Sequence, residues 1–304
     1  MFLTNSKGSL ENRRNKIYKI LINGFFIAFA VCCLIPMITV ISISISPEDD
    51  IMKFGYQIFP KHIDFLSYKY IFAYPKQILN AYGVTFFVTI GGTLLALLIN
   101  SMAAYALSRK QFEYRNPLAF IVFFTTMFSG GLIPWYILIT NYLHLSNTIW
   151  VMIIPSLASP WNMFLLRTNF KAIPDSIIES AKIDGANEMY IYYKLILPLS
   201  KPALATIGLF FSLGFWNDWW LCLLFIDKSG LFNLQYILYR MMANITYLTS
   251  QMPLNLGLVV DTSQIPNESA RMATVILAAG PMLFVFTFFQ KYFVQGLTVG
   301  SIKG

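Results

Sequence analysis

A carboxylate set among apolar residues is the first group in this chain that could act on something. Asp218 stands in the run GFWNDWWLCLLF. A charge at the centre of a membrane costs about 2.5–3.5 kcal/mol on insertion scales, so the group must face a cavity or a partner. Asn217 beside it offers donors and acceptors, and Trp216, Trp219 and Trp220 offer flat apolar faces of the kind that stack on sugar rings. Trp216, Asn217, Asp218 and Trp219 are therefore a candidate lining for a solute path. The same residues suit a purely structural job, with tryptophans as an interfacial belt and the Asn-Asp pair as a tie between helices. Both readings stand on the sequence.

Other chemistry is absent from the pattern. There is no G-x-x-x-x-G-K-[ST] stretch to cradle a nucleotide, no nucleophile with base and orienting group, and no zinc spacing. His62 and His144 stand alone in polar loops. Cys32, Cys33 and Cys222 lie inside apolar segments and read as small buried hydrophobes rather than a disulfide framework. The chain is expected not to be an enzyme and to bind no cofactor or metal of its own.

The second chemically distinct stretch is a charged island, Ile173 to Pro202, IPDSIIESAKIDGANEMYIYYKLILPLSKP. Pro174 opens a helix without wasting an amide, and Ser176 with Glu179 reads as a capping box. Gly185 suits the left-handed conformation at a helix end, and Asn187 is placed to cap a second helix, Glu188 to about Leu195, which Pro198 stops. Small residues at Ser180, Ala181, Gly185 and Ala186 let another backbone approach, and Ile177, Ile178, Ile183 and Met189 supply apolar contact. Such a helix-turn-helix suits docking into a groove. The plainer alternative is an amphipathic loop in which Glu179 serves only its own helix.

The run ESAKIDGA followed by LILP resembles the EAA loop of bacterial ABC importer permeases, whose pattern is E-A-A, three residues, G, nine residues, I-x-L-P. Glu179, Ala181, Gly185, Leu197 and Pro198 fall at those spacings, while Ser180 replaces the second residue and Leu195 the isoleucine. AYGVTFFVTIGGT, AAYALSR, the WND of the apolar run above and the ending FFQKYFVQGLTVGSIKG are similar to the carbohydrate-uptake branch of the type I family. FSGGLIPWYILI, Phe128 to Ile139, is similar to its oligosaccharide and complex-glycan subgroup. The resemblance implies that Glu179, Ser180, Ala181, Asp184, Gly185, Ala186, Leu197 and Pro198 couple the chain to an ATPase. It also implies a second homologous permease in a heterodimer, two ABC ATPase subunits that use ATP and Mg, an extracellular solute-binding lipoprotein and a carbohydrate substrate. The location implied is the bacterial plasma membrane.

The elements that must position these residues are apolar spans. The 304 residues are 57% hydrophobic and only 12% charged, against about 25% charged in soluble proteins, so the chain is an integral membrane protein surrounded by lipid. The net charge of +8 does not indicate nucleic acid, because Lys and Arg sit at the ends of apolar runs. An all-α fold of six transmembrane helices follows, with residues 1–19 as a tail and 20–45 as the first helix, too long for a signal-peptide core. Residues 46–78 read as an external loop and 79–290 as the core of helices two to six, including the hairpin 173–202; residues 291–304 form a second tail. Gly91, Gly92, Thr85, Thr89 and Thr93 suit helix packing in span two. SGGLIP should bend span three, and Pro155 and Pro160 should kink span four, with Ser156, Ser159 and Asn162 bonding the freed carbonyls. Span five runs from about Pro202 to Ile226 and span six from about Met272 to Phe289, with a polar loop between.

Basic residues give the orientation. With the amino end inside, cytoplasmic segments hold five in the first tail, three after span two, five around the hairpin and two at the carboxyl end, against six in outer loops. Both termini and the hairpin are then cytoplasmic. An ABC permease for a non-sugar solute would share the hairpin. An ion-coupled secondary carrier using Asp218 would instead show inverted repeats, and none is visible.

Overall fold

The computed structural model describes residues 5–73, 75–250 and 267–298. Its regular elements are helices throughout, and no strand occurs among the described residues. The chain divides into two compact units, Met1–Ala73 with Asn244–Leu277, and Tyr74–Ala243 with Ala278–Gly304.

In the first unit, α1 (Asn5–Ser44) contains the 27-residue apolar stretch Tyr18–Ser44, about 40 Å at 1.5 Å per residue. Consecutive residues such as Ile20, Leu21, Ile22, Phe25, Phe26 and Ile27 are all exposed. Apolar faces all round a helix mean that lipid, not protein, surrounds it. Cys32 and Cys33 share that outward surface, so only Cys222 is the buried thiol the sequence suggests. The expected external loop is more ordered than a connector. It holds α2 (Glu48–Phe54) and α3 (Leu66–Ile71), with three acidic residues in the first turn of α2, where the helix dipole favours them. The Glu48 carboxylate accepts from Glu268 N (3.0 Å), Ser269 N (3.2 Å) and Ser269 Oγ (3.1 Å), capping the last helix. His62, expected to be isolated, has Nδ1 2.7 Å from Asp50 Oδ2.

The second unit is built on α4 (Pro75–Ser108), which starts earlier than the sequence suggests. Against it pack α7 (Pro160–Lys171) and α11 (Lys201–Asn217). A Cβ on Gly92 would lie 2.8 Å from the Phe215 ring, so glycine there permits the contact with α11; Gly91 faces open space and has no such role.

Three other segments are broken rather than straight. Helix α5 (Arg115–Met127) meets α6 (Leu132–Ile137) and its π turn Leu138–Tyr142 at 115°, through Gly131 with φ +85°. The 3₁₀ turns Ile149–Met152 and Ile154–Ser156 meet α7 at 50°. The short helices α8 (Asp175–Ile183), α9 (Glu188–Ile191) and α10 (Leu197–Leu199) precede α11, and Glu188–Leu199 meets α11 at 83°. Pro198 therefore does not stop the second hairpin helix. A π turn over Tyr192–Ile196 widens the coil ahead of it and the helix runs on to Leu199.

Two further boundaries differ from expectation. Span five is not continuous to Ile226, because α11 ends at Asn217 and α12 (Trp220–Phe225) begins after an extended Asp218 (ψ 114°). The polar loop beyond it contains a 17-residue helix, α13 (Leu234–Ser250), seated by buried Leu234, Ile237 and Leu238. The last helix, α14 (Glu268–Thr298), is helical through the first residues of the expected carboxyl tail; residues 299–304 lie outside the described residues.

Candidate functional site

Two regions carry the candidate residues, and both lie in the second unit. The first is the hairpin. Its turn is made by Gly185 at φ +83° with open space around its Cα, so conformation rather than crowding requires glycine. Asn187 caps the second helix, its Oδ1 accepting from Tyr190 N at 2.8 Å. The capping box does not form. The first helix begins at Asp175 with Pro174 at its cap position, which has no side-chain acceptor, and the Asp175 carboxylate is taken by Lys110 Nζ at 2.7 Å. That hydrogen bond, with the Lys110 charge, holds the Asp175 carboxyl below the usual carboxylate range.

Anchoring and presentation are divided between residues of this hairpin. Ile178, Ile191, Tyr192 and Ile196 are buried and fix it to the unit. Glu179, Ser180, Asp184 and Gly185 are exposed, Ala181 and Ala186 half-exposed. Between them Ile183 is 86% exposed, and Met189 and Tyr190 are also outside. An apolar tip held out on a rigid base is a surface that wants a partner. Leu197 and Pro198 sit on the following turn, away from the tip in sequence.

The second region is the break between α11 and α12. Asp218 Oδ1 accepts from Trp220 N (3.1 Å) and Leu221 N (3.2 Å), capping α12, and its Oδ2 is buried with no protein partner. Asn233 donates to the Asp218 carbonyl and accepts from Tyr236 N at 2.9 Å, which closes the break from the other side. Asp218 and Asn217 line a cavity of about 510 Å³ with Ser156, Ser159, Asn162, Trp135 and Trp220. Asp218 is the one charged residue among those lining it. A neighbouring cavity of about 580 Å³ shares Trp135 and Trp220 and is walled by Ser129, Gly130 and Gly131. Carboxylate, amides, hydroxyls and two indoles facing one space form a surface suited to a polyhydroxylated solute.

The four residues singled out in the sequence do not act together. Trp216 is buried, donates from Nε1 to Ala278 O at 2.8 Å and faces a separate apolar cavity. Trp219 stacks on Tyr239 with ring centres 4.4 Å apart. Neither lines the cavity of Asp218. Trp135, Trp220 and Asn162 take the lining positions instead. The Ser-Gly-Gly-Leu-Ile-Pro run and the Pro155–Pro160 spacing were the signals that could have pointed to Trp135 and Asn162, which follow them in sequence.

The expected carbonyl partners at the break before α7 also change. Asn100, fully buried on α4, donates Nδ2 to Leu157 O (2.7 Å) and accepts at Oδ1 from Ser159 N (3.0 Å). One amide thus replaces two lost helical bonds. Ser159 Oγ instead caps α7, accepting from Asn162 N at 3.4 Å.

Comparison with known proteins places the chain among transport permeases. Residues 96–299 match the family described as the binding-protein-dependent transport system inner membrane component. Over 96% of its length the chain is 35% identical to the whole of the polygalacturonan/rhamnogalacturonan transport system permease protein YtcP of Bacillus subtilis. It is 28% identical to the arabinooligosaccharides transport system permease protein AraQ of the same organism, covering 95% of this chain and 97% of that one. Among solved structures, a chain of a bacterial ABC transporter involved in the import of the acidic polysaccharide alginate is 30% identical. It superposes with a TM-score of 0.76, covering 92% of this chain and 98% of that one.

Proposed function

The chain belongs to the binding-protein-dependent transport system inner membrane component family, and from that premise we propose that it is a permease subunit of an ATP-driven importer carrying a carbohydrate of oligosaccharide size. The observation that carries the coupling half of this reading is the anchored hairpin with its exposed Ile183 tip. An ATPase subunit docks there through Glu179, Ser180, Ala181, Asp184, Gly185 and Ala186. ATP and Mg are used by that partner, and this chain makes no covalent step.

The complete transporter pairs this chain with a homologous permease, two ATPase subunits and an external solute-binding protein. The two bent pairs before the hairpin each count as one span, and α11 with α12 makes the fifth. With the three unbroken helices this gives six spans, both termini and the hairpin cytoplasmic, in agreement with the basic residues. Solute passes along the cavity of Asn217, Asp218, Asn162, Trp135 and Trp220. The relatives' names supply the solute class.

Reconstitution with the ATPase, the second permease and the binding protein tests the reading. Oligosaccharide uptake is expected only with ATP, and cysteine labels at Asn187 and Asn116 are expected to react from the ATPase side, those at Asp50 and Asn244 from the other. Uptake driven by an ion gradient without any ATPase would overturn it.

A further inference from the structure

The hairpin is tied to the inner end of α4 by a cluster that neither docking nor solute contact uses. Glu188, at the start of α9, accepts the Tyr105 hydroxyl on one carboxylate oxygen and takes Lys182 Nζ at 2.6 Å on the other. Arg109 Nε lies 4.0 Å from the same carboxylate, and the Arg109 side chain is 11% exposed. One helical turn away, Ser101 Oγ and Tyr192 OH share a buried hydrogen bond of 2.6 Å. The Tyr105 and Tyr192 rings are 5.4 Å apart. The next residue along α4 is Asn100, whose amide holds the break before α7 that borders the Asp218 cavity.

The hairpin and the segment that borders the cavity are thus both hydrogen-bonded to one short stretch of a single helix, residues 100 to 105. A helix is stiff over two turns, so displacement of the latch end must displace the pin end. Asn100 and the Ser101–Tyr192 bond are buried, where leaving a polar group unpaired is costly, so they hold this stretch in one geometry. We propose that residues 100–105 of α4 transmit hairpin movement to the cavity, with Tyr105 and Glu188 as the latch and Asn100 as the pin. All three are positioning residues. The proposal rests on the hairpin being the ATPase dock.

The assembled transporter in proteoliposomes tests it through three readings: ATPase subunit retained, ATP hydrolysed, and solute moved per ATP. Glu188→Met, which removes the acceptor, and Tyr105→Phe are each expected to retain the ATPase and lower solute per ATP at least fivefold. The double variant should be no worse than the weaker single, because one latch is broken once. Glu188→Asp should recover part of the ratio, and Asn100→Leu should lower it from the pin end. A purely structural role would lower assembly and leave the ratio alone. Wild-type solute per ATP in Tyr105→Phe, which removes only a hydroxyl, would overturn the proposal, as would independent, multiplying effects in the double variant. Normal uptake by Gly185→Val would instead overturn the docking reading on which it rests.

Discussion

The hairpin and the α11–α12 break are built in opposite ways. In the hairpin the determinants are neighbours in sequence: Gly185 turns the chain and Asn187 caps the helix three residues on. The cavity at the break draws on three separate segments, and its geometry depends on Asn100 and Asn233, which bond backbone groups 57 and 15 residues away. A local device fails at one residue. A distributed one loses function in fractions, because each lining residue contributes part of the surface.

The largest effect is therefore expected at Gly185. Valine at φ +83° is strained whatever the space around it, so Gly185→Val should insert in the membrane normally and lose essentially all ATP-dependent uptake. Membrane fractionation and uptake on one preparation separate the two. Uptake near the wild-type rate would show that the hairpin is not a local device.

Next comes a position that holds up both regions. At Gly92 an added Cβ would meet three Phe215 ring atoms at 2.8–2.9 Å, and α11 carries the break at its far end. Gly92→Val should destabilise the α4–α11 contact by about 1–3 kcal/mol, the usual range for overpacking. Thermal unfolding and the yield of assembled transporter should fall together, with the uptake of surviving complexes unchanged. Selective loss of uptake would mean that this contact moves during transport.

The same contrast explains what the sequence revealed. Gly185 and Asn187 were legible because turn and cap chemistry act over three or four residues. Gly131 and the bend at SGGLIP were legible for the same reason. Asn100 was not, since nothing near it in sequence announces a partner on another helix. Ser176 misled because its spacing to Glu179 is right while Pro174 sets the helix start two residues too early for it to cap. Trp216 and Trp219 fall outside the cavity because α11 stops between them at Asn217, and the extended Asp218 turns Trp220, rather than Trp219, to the cavity. The all-helical, apolar character of the chain was readable from hydropathy; the breaks in its helices depend on tertiary hydrogen bonds.

Asp218→Asn sharpens the distributed side of the comparison. Asparagine keeps an Oδ1 that can still cap Trp220 and Leu221, so α12 should survive, and the change is confined to the charge and to the unpartnered Oδ2. Uptake or sugar preference should shift about three- to tenfold, with assembly and stimulated ATP hydrolysis near normal. Asp218→Leu, which removes the cap, should assemble poorly. Failure of Asp218→Asn to assemble would make the carboxylate a structural tie and remove it from the solute path.

The smallest effect is expected where the hairpin departs from being local, at the Lys110–Asp175 pair, which joins residues 65 apart at 2.7 Å. Both side chains are largely exposed, so solvent screens the pair and its contribution is small. The Asp175 carboxyl is held below its ordinary value by the Lys110 hydrogen bond and charge. A carboxylate depressed in the folded state stabilises it at every pH above the unfolded value, about 3.9, and loses that contribution as pH falls through the folded value. Hydrogen exchange of the hairpin amides in wild type and Asp175→Asn should therefore differ by a constant amount, less than about twofold, from pH 8 down to about 5. The difference should shrink below about pH 4 and in high salt. A difference that instead grew toward acid would mean that Asp175 is stabilised as the neutral acid, and would remove this pair from the forces that hold the hairpin to α4.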